Sequence, residues 1–397
     1  MKSRGRVQEN SVFLGLIVLV FIFGMYGLVK TPQKTSVSEN RSLTQFSHFT
    51  FSDFLSGKFQ DNFEKALSDQ FAFSEKIRVK YGEVINNLSD FGIDNMICHN
   101  RYIILKGSQY TNAVFNCEDY LMAPPAVLSK ETLNVMDANI EKYNHVNNLI
   151  NTYYYYFDES NIYDFTIGEK IIDIKSLLRE RMKGNYTLSS LHYNGYDEYK
   201  NYFYKTDHHL NHNGQYQAYQ DIVKMMGIKK PLAPNDLVNN HEYFFGSRAK
   251  DVQIYDYLEE FEFYNYDLPK HDSFINRKEK QYGHYADYIK HNYTYKRSLN
   301  FYGWVYGGDN GEVLFDYHRP EKENLLIISN SFDNPIAPLI AQYYNKTFAV
   351  DLRHYKSNLK EDFEFSKYIK DNKIDKVLFI MSSRFIFDKN SNVGLEK

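Results

Sequence analysis

A carboxylate and an imidazole stand two residues apart in the stretch Tyr204-Lys205-Thr206-Asp207-His208-His209-Leu210-Asn211-His212-Asn213-Gly214. In extended backbone alternate residues project to one side, which puts Asp207 with His209 and turns His208 the other way. A carboxylate against an imidazole fixes its tautomer and stabilises the imidazolium, as a general base serving a hydroxyl nucleophile requires. Asp-x-His alone is common and carries no chemistry without a nucleophile. Ser331 is the candidate. It follows the apolar run Leu325-Leu326-Ile327-Ile328, the pattern of a buried parallel strand, within the polar break Ser329-Asn330-Ser331-Phe332-Asp333-Asn334-Pro335. Pro335 suits the first position of a helix capped by Asp or Asn, and Ile336, Leu339, Ile340, Tyr343 and Tyr344 would share its buried face. The N–H groups where that helix starts could hold an oxyanion. Phe332, Asn330 and the turn-rich Gly307-Gly308 are the candidate oxyanion or substrate contacts. Against this, Ser331 could do no more than cap the helix, and the glycines no more than turn the chain.

These residues need elements that hold them. Behind the imidazole, Tyr216, Tyr219, Ile222, Val223 and Met226 recur at helical spacing, with Asn213 as the expected cap, Gly227 at the end and Pro231 beyond. Such a helix would hold the His209 loop rigid. Thr152–Phe157, Leu325–Ile328, Thr347–Leu352 and Lys376–Met381 read as strands. Helices over Glu131–Ile150 (started by Ser129 or Thr132), Ile171–Met182 and after Pro335 alternate with them. That alternation predicts an α/β fold with a doubly wound parallel sheet, in which ligands bind beyond the carboxyl ends of the strands. Arg101–Leu105 reads as another strand and Phe59–Val84 as an amphipathic helical region. Residues 232–300, rich in Tyr, Asp, Glu and Lys, read as irregular excursions or short strands over the core.

The 397 residues are 43% hydrophobic and carry a net charge of -3, enough for a substantial core and no electrostatic case for nucleic acid. Tyr and Phe number 36 and 30 against one Trp, which reflects codon bias more readily than a sugar-stacking surface. Cys98 and Cys117 could pair outside a cell or stay as thiols, and they have no metal spacing. Ser11 to Val29 runs without a charge and would span roughly 28 Å as a helix, close to bilayer thickness. Lys2, Arg4 and Arg6 precede it, and no small-x-small cleavage site follows. The expected organisation is a cytoplasmic tail over 1–10, a transmembrane signal anchor over 11–29, a linker over 30–42 and an extracytoplasmic domain over 43–397.

Taken in order, Glu39-Asn40-Arg41, Thr206-Asp207-His208-His209-Leu210-Asn211 with Gly214 and Tyr219, Gly307-Gly308-Asp309, and Leu326 to Phe332 leading to Val350-Asp351-Leu352-Arg353-His354-Tyr355 resemble the DHHW family. That family is related to alginate O-acetyltransferase proteins with an SGNH-hydrolase-like fold. Leu210 stands in place of the tryptophan that names it, Asn330 where an aspartate usually precedes the serine, and Ser74 where an arginine is often found. The resemblance implies a Ser331–His209–Asp207 triad moving acetyl groups on or off extracytoplasmic glycans, without metal or cofactor. It also implies a membrane-bound O-acyltransferase partner that supplies the acyl group. An acetyl esterase with the same residues and a non-catalytic glycan-binding scaffold are the alternatives. A metal reading of Asp207, His208, His209 and His212 resembles manganese phosphoesterases but lacks their further His-x-Asp-x-Asp motif.

Overall fold

In this computed structural model the described residues are 41–46, 48–70, 115–117, 120–122, 129–157, 174–193, 196–252, 259–280 and 301–397, with a few positions before 41. The chain divides into two compact units, 1–92 with 250–255 and 93–249 with 256–397.

The larger unit is built on one eight-stranded sheet. In chain order its strands are β1 (Thr152–Phe157), β2 (Tyr186–Ser190), β3 (Asp272–Ile275), β4 (Lys278–Lys280), β5 (Glu312–Asp316), β6 (Leu325–Ile328), β7 (Lys346–Val350) and β8 (Lys376–Ser382). They lie side by side as β4-β3-β5-β7-β6-β8-β1-β2. The run β7-β6-β8-β1-β2 is parallel, and β5, β3 and β4 add to the β7 edge in antiparallel fashion. The expected parallel sheet is therefore the central part of a mixed one. Residues 272–280 account for the difference. Within the stretch read as irregular excursions or short strands, they form the hairpin β3–β4 that extends the sheet, with Asn276 and Arg277 in left-handed conformation at its turn. Asp236–Tyr243 and Glu260–Asn265 form a second, separate antiparallel pair. Charged residues hide these strands, because an edge or two-stranded ribbon needs only one apolar face.

The four residues of β6 are fully buried because both faces of the sheet are covered. Leu325 and Ile327 enter one core with Tyr155, Phe157, Leu378, Ile380 and the helix His212–Met225. Leu326 and Ile328 enter the other with Tyr154, Phe379, Met381 and the helix Lys130–Leu149, whose N-cap is Ser129. The helix expected over Ile171–Met182 is described from Ile174 to Arg181.

In the smaller unit Thr50 caps the short helix Phe51–Leu55, Gly57 turns the chain with positive φ, and the helix Lys58–Gln70 follows. The expected continuation of that helical region to Val84, the Arg101–Leu105 strand, Ser74 and Cys98 lie outside the described residues. So does the run 11–29 apart from Leu14, Val18 and Tyr26. Among the described residues no helix is long and apolar enough to cross a membrane.

Candidate active site

Ser331 lies just past the carboxyl end of β6, where the chain leaves the sheet between its parallel neighbours. Ser329 secures that exit: its N–H donates to the Val350 carbonyl of β7 at 3.1 Å and its hydroxyl to the Ile380 carbonyl of β8 at 3.0 Å. The segment then winds through turns, with the Asp333 carbonyl accepting from the N–H groups of Ile336 and Ala337. The helix begins only at Ala337, with Ile336 as N-cap and Pro338 in its first turn, and ends at Ala341. The expectation that Pro335 opens a helix beside Ser331 is thus corrected. Five residues of helix that start six positions later cannot aim a dipole at the serine.

His209 arrives on a loop closed by the antiparallel bridge between Phe203 and Leu210. The loop is bent rather than extended, because Asp207 Oδ1 accepts the His209 N–H at 3.0 Å, an Asx turn. The bend overturns the expected alternation. His208 does not point away; its ring centroid lies 3.9 Å from that of His209, and its Nδ1 is hydrogen-bonded to Ser247 Oγ at 2.6 Å. Asn211, not Asn213, caps the following helix, its Oδ1 accepting from the N–H groups of Asn213 and Gly214, and Gly227 with positive φ follows the last turn. Gly214 is required where it stands: a Cβ there would sit 2.1 Å from the Tyr202 carbonyl oxygen.

Asp207, His209 and Ser331 come together, although 122 positions separate the last two. His209 Nδ1 is 2.5 Å from Asp207 Oδ1 and His209 Nε2 is 2.8 Å from Ser331 Oγ. With Nδ1–H donating to the carboxylate, Nε2 is the acceptor facing the hydroxyl. Asp207 Oδ2 accepts the Ser247 N–H at 2.6 Å. Burial alone would raise the Asp207 carboxyl, but His209 and His208 beside it and these hydrogen bonds outweigh burial and hold it well below the usual carboxylate range. Asp207 and His209 are buried, whereas Ser331 is partly exposed.

Three supports were invisible in the sequence. Tyr302 stacks on His209 with centroids 3.7 Å apart and planes 9° apart, and its hydroxyl donates to the Ser331 carbonyl at 2.9 Å. Glu259 accepts from the N–H groups of Lys205 and Thr206 and from the Thr206 hydroxyl, clamping the loop where it starts. Burial pushes its carboxyl up to about 7 despite those bonds. Gly246 presses against the loop so closely that a Cβ would lie 2.3 Å from Asp207 Cβ, and this approach lets the next N–H, that of Ser247, reach the carboxylate. The chain offers no spacing signal for these contacts; only the proximity of Gly246-Ser247 to a loop 40 residues earlier reveals them.

The candidate oxyanion contacts divide. The Phe332 N–H donates to Asn330 Oδ1 at 3.2 Å, and the Phe332 ring centroid lies 4.9 Å from that of His209. Gly307 is tied to the serine turn through its carbonyl, which accepts from Asn334 Nδ2 at 3.3 Å, while Gly308 is exposed. Among the described residues two groups have metal-ligand spacing, Asp207 with His208 and His209, and Asp309 with Asp351 and His354. His212 belongs to neither; its Nδ1 lies 3.8 Å from Glu262. In the second group Arg353 clamps both oxygens of Asp351.

No family model matches the sequence, and no curated protein matches it. Solved structures do. A DHHW family protein from Eubacterium siraeum superposes with a TM-score of 0.54 over 74% of this chain and 98% of its own, at 16% identity. The chain has the fold of a DHHW family protein. Bacillus cereus PatB1 superposes with a TM-score of 0.52 at 18% identity over 72% of this chain and 99% of that one. Its form with a sulfonyl adduct gives 0.53 at 17% identity over 73% and 99%. At these identities the likeness is one of fold. Leu210 is buried in one core with Phe203 and Tyr204.

Proposed function

We propose that this chain is an acyltransferase that moves an acetyl group to a hydroxyl of a cell-surface or secreted polysaccharide through an acyl-serine intermediate. One observation carries the reading: the unbroken hydrogen-bond chain from Asp207 through His209 to Ser331. His209 Nε2 takes the Ser331 proton as Oγ attacks the acetyl carbonyl, and Asp207 stabilises the imidazolium. His209 then gives that proton to the departing donor group, which leaves acetyl on Oγ. In the second half the acceptor hydroxyl loses its proton to His209 and attacks the acyl-serine. Collapse releases the new ester, and the proton returns to Oγ. The developing oxyanion has two donors within the turn, the N–H of Ser331 itself and the Asn330 side-chain NH2, neither of which is spent elsewhere among the described residues. With Asn330 in the place of an aspartate, its amide keeps a donor but brings no charge.

The sulfonyl adduct of PatB1 supports the reading as a likeness of fold, and it suggests a sulfonyl fluoride as a probe for Ser331. The proposal includes the anchor of residues 11–29, with the sheet unit outside the membrane and a membrane-bound O-acyltransferase supplying acetyl. If water reaches the acyl-serine instead, the same residues make an acetyl esterase. The test is turnover of p-nitrophenyl acetate by the full chain and by Ser331→Ala. Wild-type turnover that falls ~10³-fold or more in the variant supports the proposal. Equal rates remove the serine mechanism, and loss of activity with a chelator points to metal chemistry.

A further inference from the structure

In the smaller unit Phe49, Phe51, Phe54, Leu55 and Phe63 are 60%, 69%, 44%, 70% and 37% exposed. They are not scattered. Phe49 lies 5.2 Å from Phe59 and 5.8 Å from Phe54, Phe59 lies 6.0 Å from Phe63, and Phe63 lies 5.7 Å from Phe46, ring centroid to centroid. Single exposed apolar side chains are ordinary, whereas a joined aromatic patch marks a surface meant to be covered. Phe59, Phe63, Ala66 and Gln70 form one stripe of the helix Lys58–Gln70. Its C-terminal half is closed, with Ala66 buried and Gln70 donating to the Thr44 carbonyl at 3.2 Å. The open half is the end that carries Phe59 and Phe63 and meets the helix Phe51–Leu55.

We propose that this phenylalanine face lies on the membrane, its rings at the boundary between lipid headgroups and acyl chains. The chain itself names the occupant. The charge-free run Ser11–Val29 ends upstream, and residues 30–45 separate it from Phe46, a tether of at most about 55 Å. A face held that close to a bilayer meets lipid first, and helices that lie in the interface bury their apolar stripe by roughly 5–10 Å. Around the patch Lys58 and Lys65 are outnumbered by Asp53, Asp61 and Glu64, so the attraction is apolar and needs no anionic lipid. This inference rests on the anchor reading and adds to it a second, shallower contact that would fix how the chain stands on the membrane.

The full chain reconstituted in phosphatidylcholine vesicles decides the matter. A tryptophan introduced as Phe51→Trp, read as the difference from the unsubstituted chain, should be quenched by lipids brominated near the glycerol end and weakly by those brominated deep in the chain. Leu16→Trp should show the reverse. Adding Phe49→Ser and Leu55→Ser should abolish the Phe51→Trp quenching and leave Leu16→Trp unchanged. Quenching of Leu16→Trp with none of Phe51→Trp would overturn the surface contact and keep the anchor. Quenching of neither would remove both. Quenching of Phe51→Trp alone would support the surface contact while the spanning helix falls. A blue-shifted but unquenched Phe51→Trp would mean that protein covers the face, which also overturns the proposal.

Discussion

Asp207, buried within the loop, and Glu259, partly buried where it clamps the loop's start, are carboxylates whose proton affinities are pushed in opposite directions. Asp207 sits beside two imidazoles and accepts a backbone N–H on each oxygen, so its folded form favours the anion. Its contribution to stability is present above the ordinary carboxylate range and is lost as pH falls through it. For Glu259 burial outweighs the hydrogen bonds from Lys205 and Thr206 and raises it from 4.5 to about 7. A raised acid means that the fold holds the proton more tightly than the unfolded chain does. That stability is complete below about 4.5 and is lost as pH rises toward 7, at most about 3 kcal/mol. Glu259→Gln should therefore flatten the fall in denaturant stability between those values, whereas an unchanged slope would mean that the clamp is ionised throughout. For Asp207→Asn, an amide that can present its NH2 to Nδ1 favours the wrong tautomer, so kcat for ester turnover should drop by roughly 10³–10⁴, and the melting temperature at neutral pH should fall as the carboxylate's contribution is lost. The Asp-x-His pair and Ser331 were legible because residue type and a strand-end position announce them. The side to which His208 turns was not, since an Asx turn made by Asp207 itself replaced the extended backbone on which alternation depends.

At the scale of elements, the site is a meeting of the β6 exit, the 203–210 loop and Gly246 with the start of the helix Ser247–Val252. The first was readable from four consecutive apolar residues flanked by polar ones. The helix His212–Met225 was readable from its spacing. The approach of Gly246 was not, because no local pattern records a close contact with a distant loop. Gly246→Ala should cost about 2 kcal/mol or more and lower turnover together with stability, since the added carbon falls on Asp207. Gly308→Ala is the control: a Cβ there meets nothing within 4 Å, and thermal unfolding should be unchanged. Tyr302→Leu should raise the mobility of His209 and lower kcat, while Tyr302→Phe keeps the stack and loses only the hydrogen bond to the Ser331 carbonyl, about 1 kcal/mol. If both variants lose activity equally, the stack is not what positions the imidazole. Strand β3 was legible only as one of the short strands allowed for in 232–300, because its residues, Asp272-Ser273-Phe274-Ile275, alternate too briefly to fix its bounds.

At the scale of the molecule, a mostly parallel sheet buried on both faces delivers Ser331 at its carboxyl end, while the first unit carries the aromatic face that we place on the membrane. Sequence reading reached the α/β class and the carboxyl-end rule, since periodicity reports burial. It missed the antiparallel edge, which is set by pairing across distant segments. If the anchor holds, the full chain should sediment with membranes and resist alkaline carbonate extraction; release by carbonate would leave the sheet unit peripheral.

The central claim is that Ser331 carries the acyl group between donor and acceptor. Its most direct measurement is intact-peptide mass spectrometry of the full chain quenched in acid after mixing with p-nitrophenyl acetate. The peptide containing Ser331 should gain one acetyl mass, lose it on addition of an acceptor glycan, and gain none in His209→Ala. Turnover without acetyl on that peptide, or acetyl there at equal rate in His209→Ala, would contradict the account.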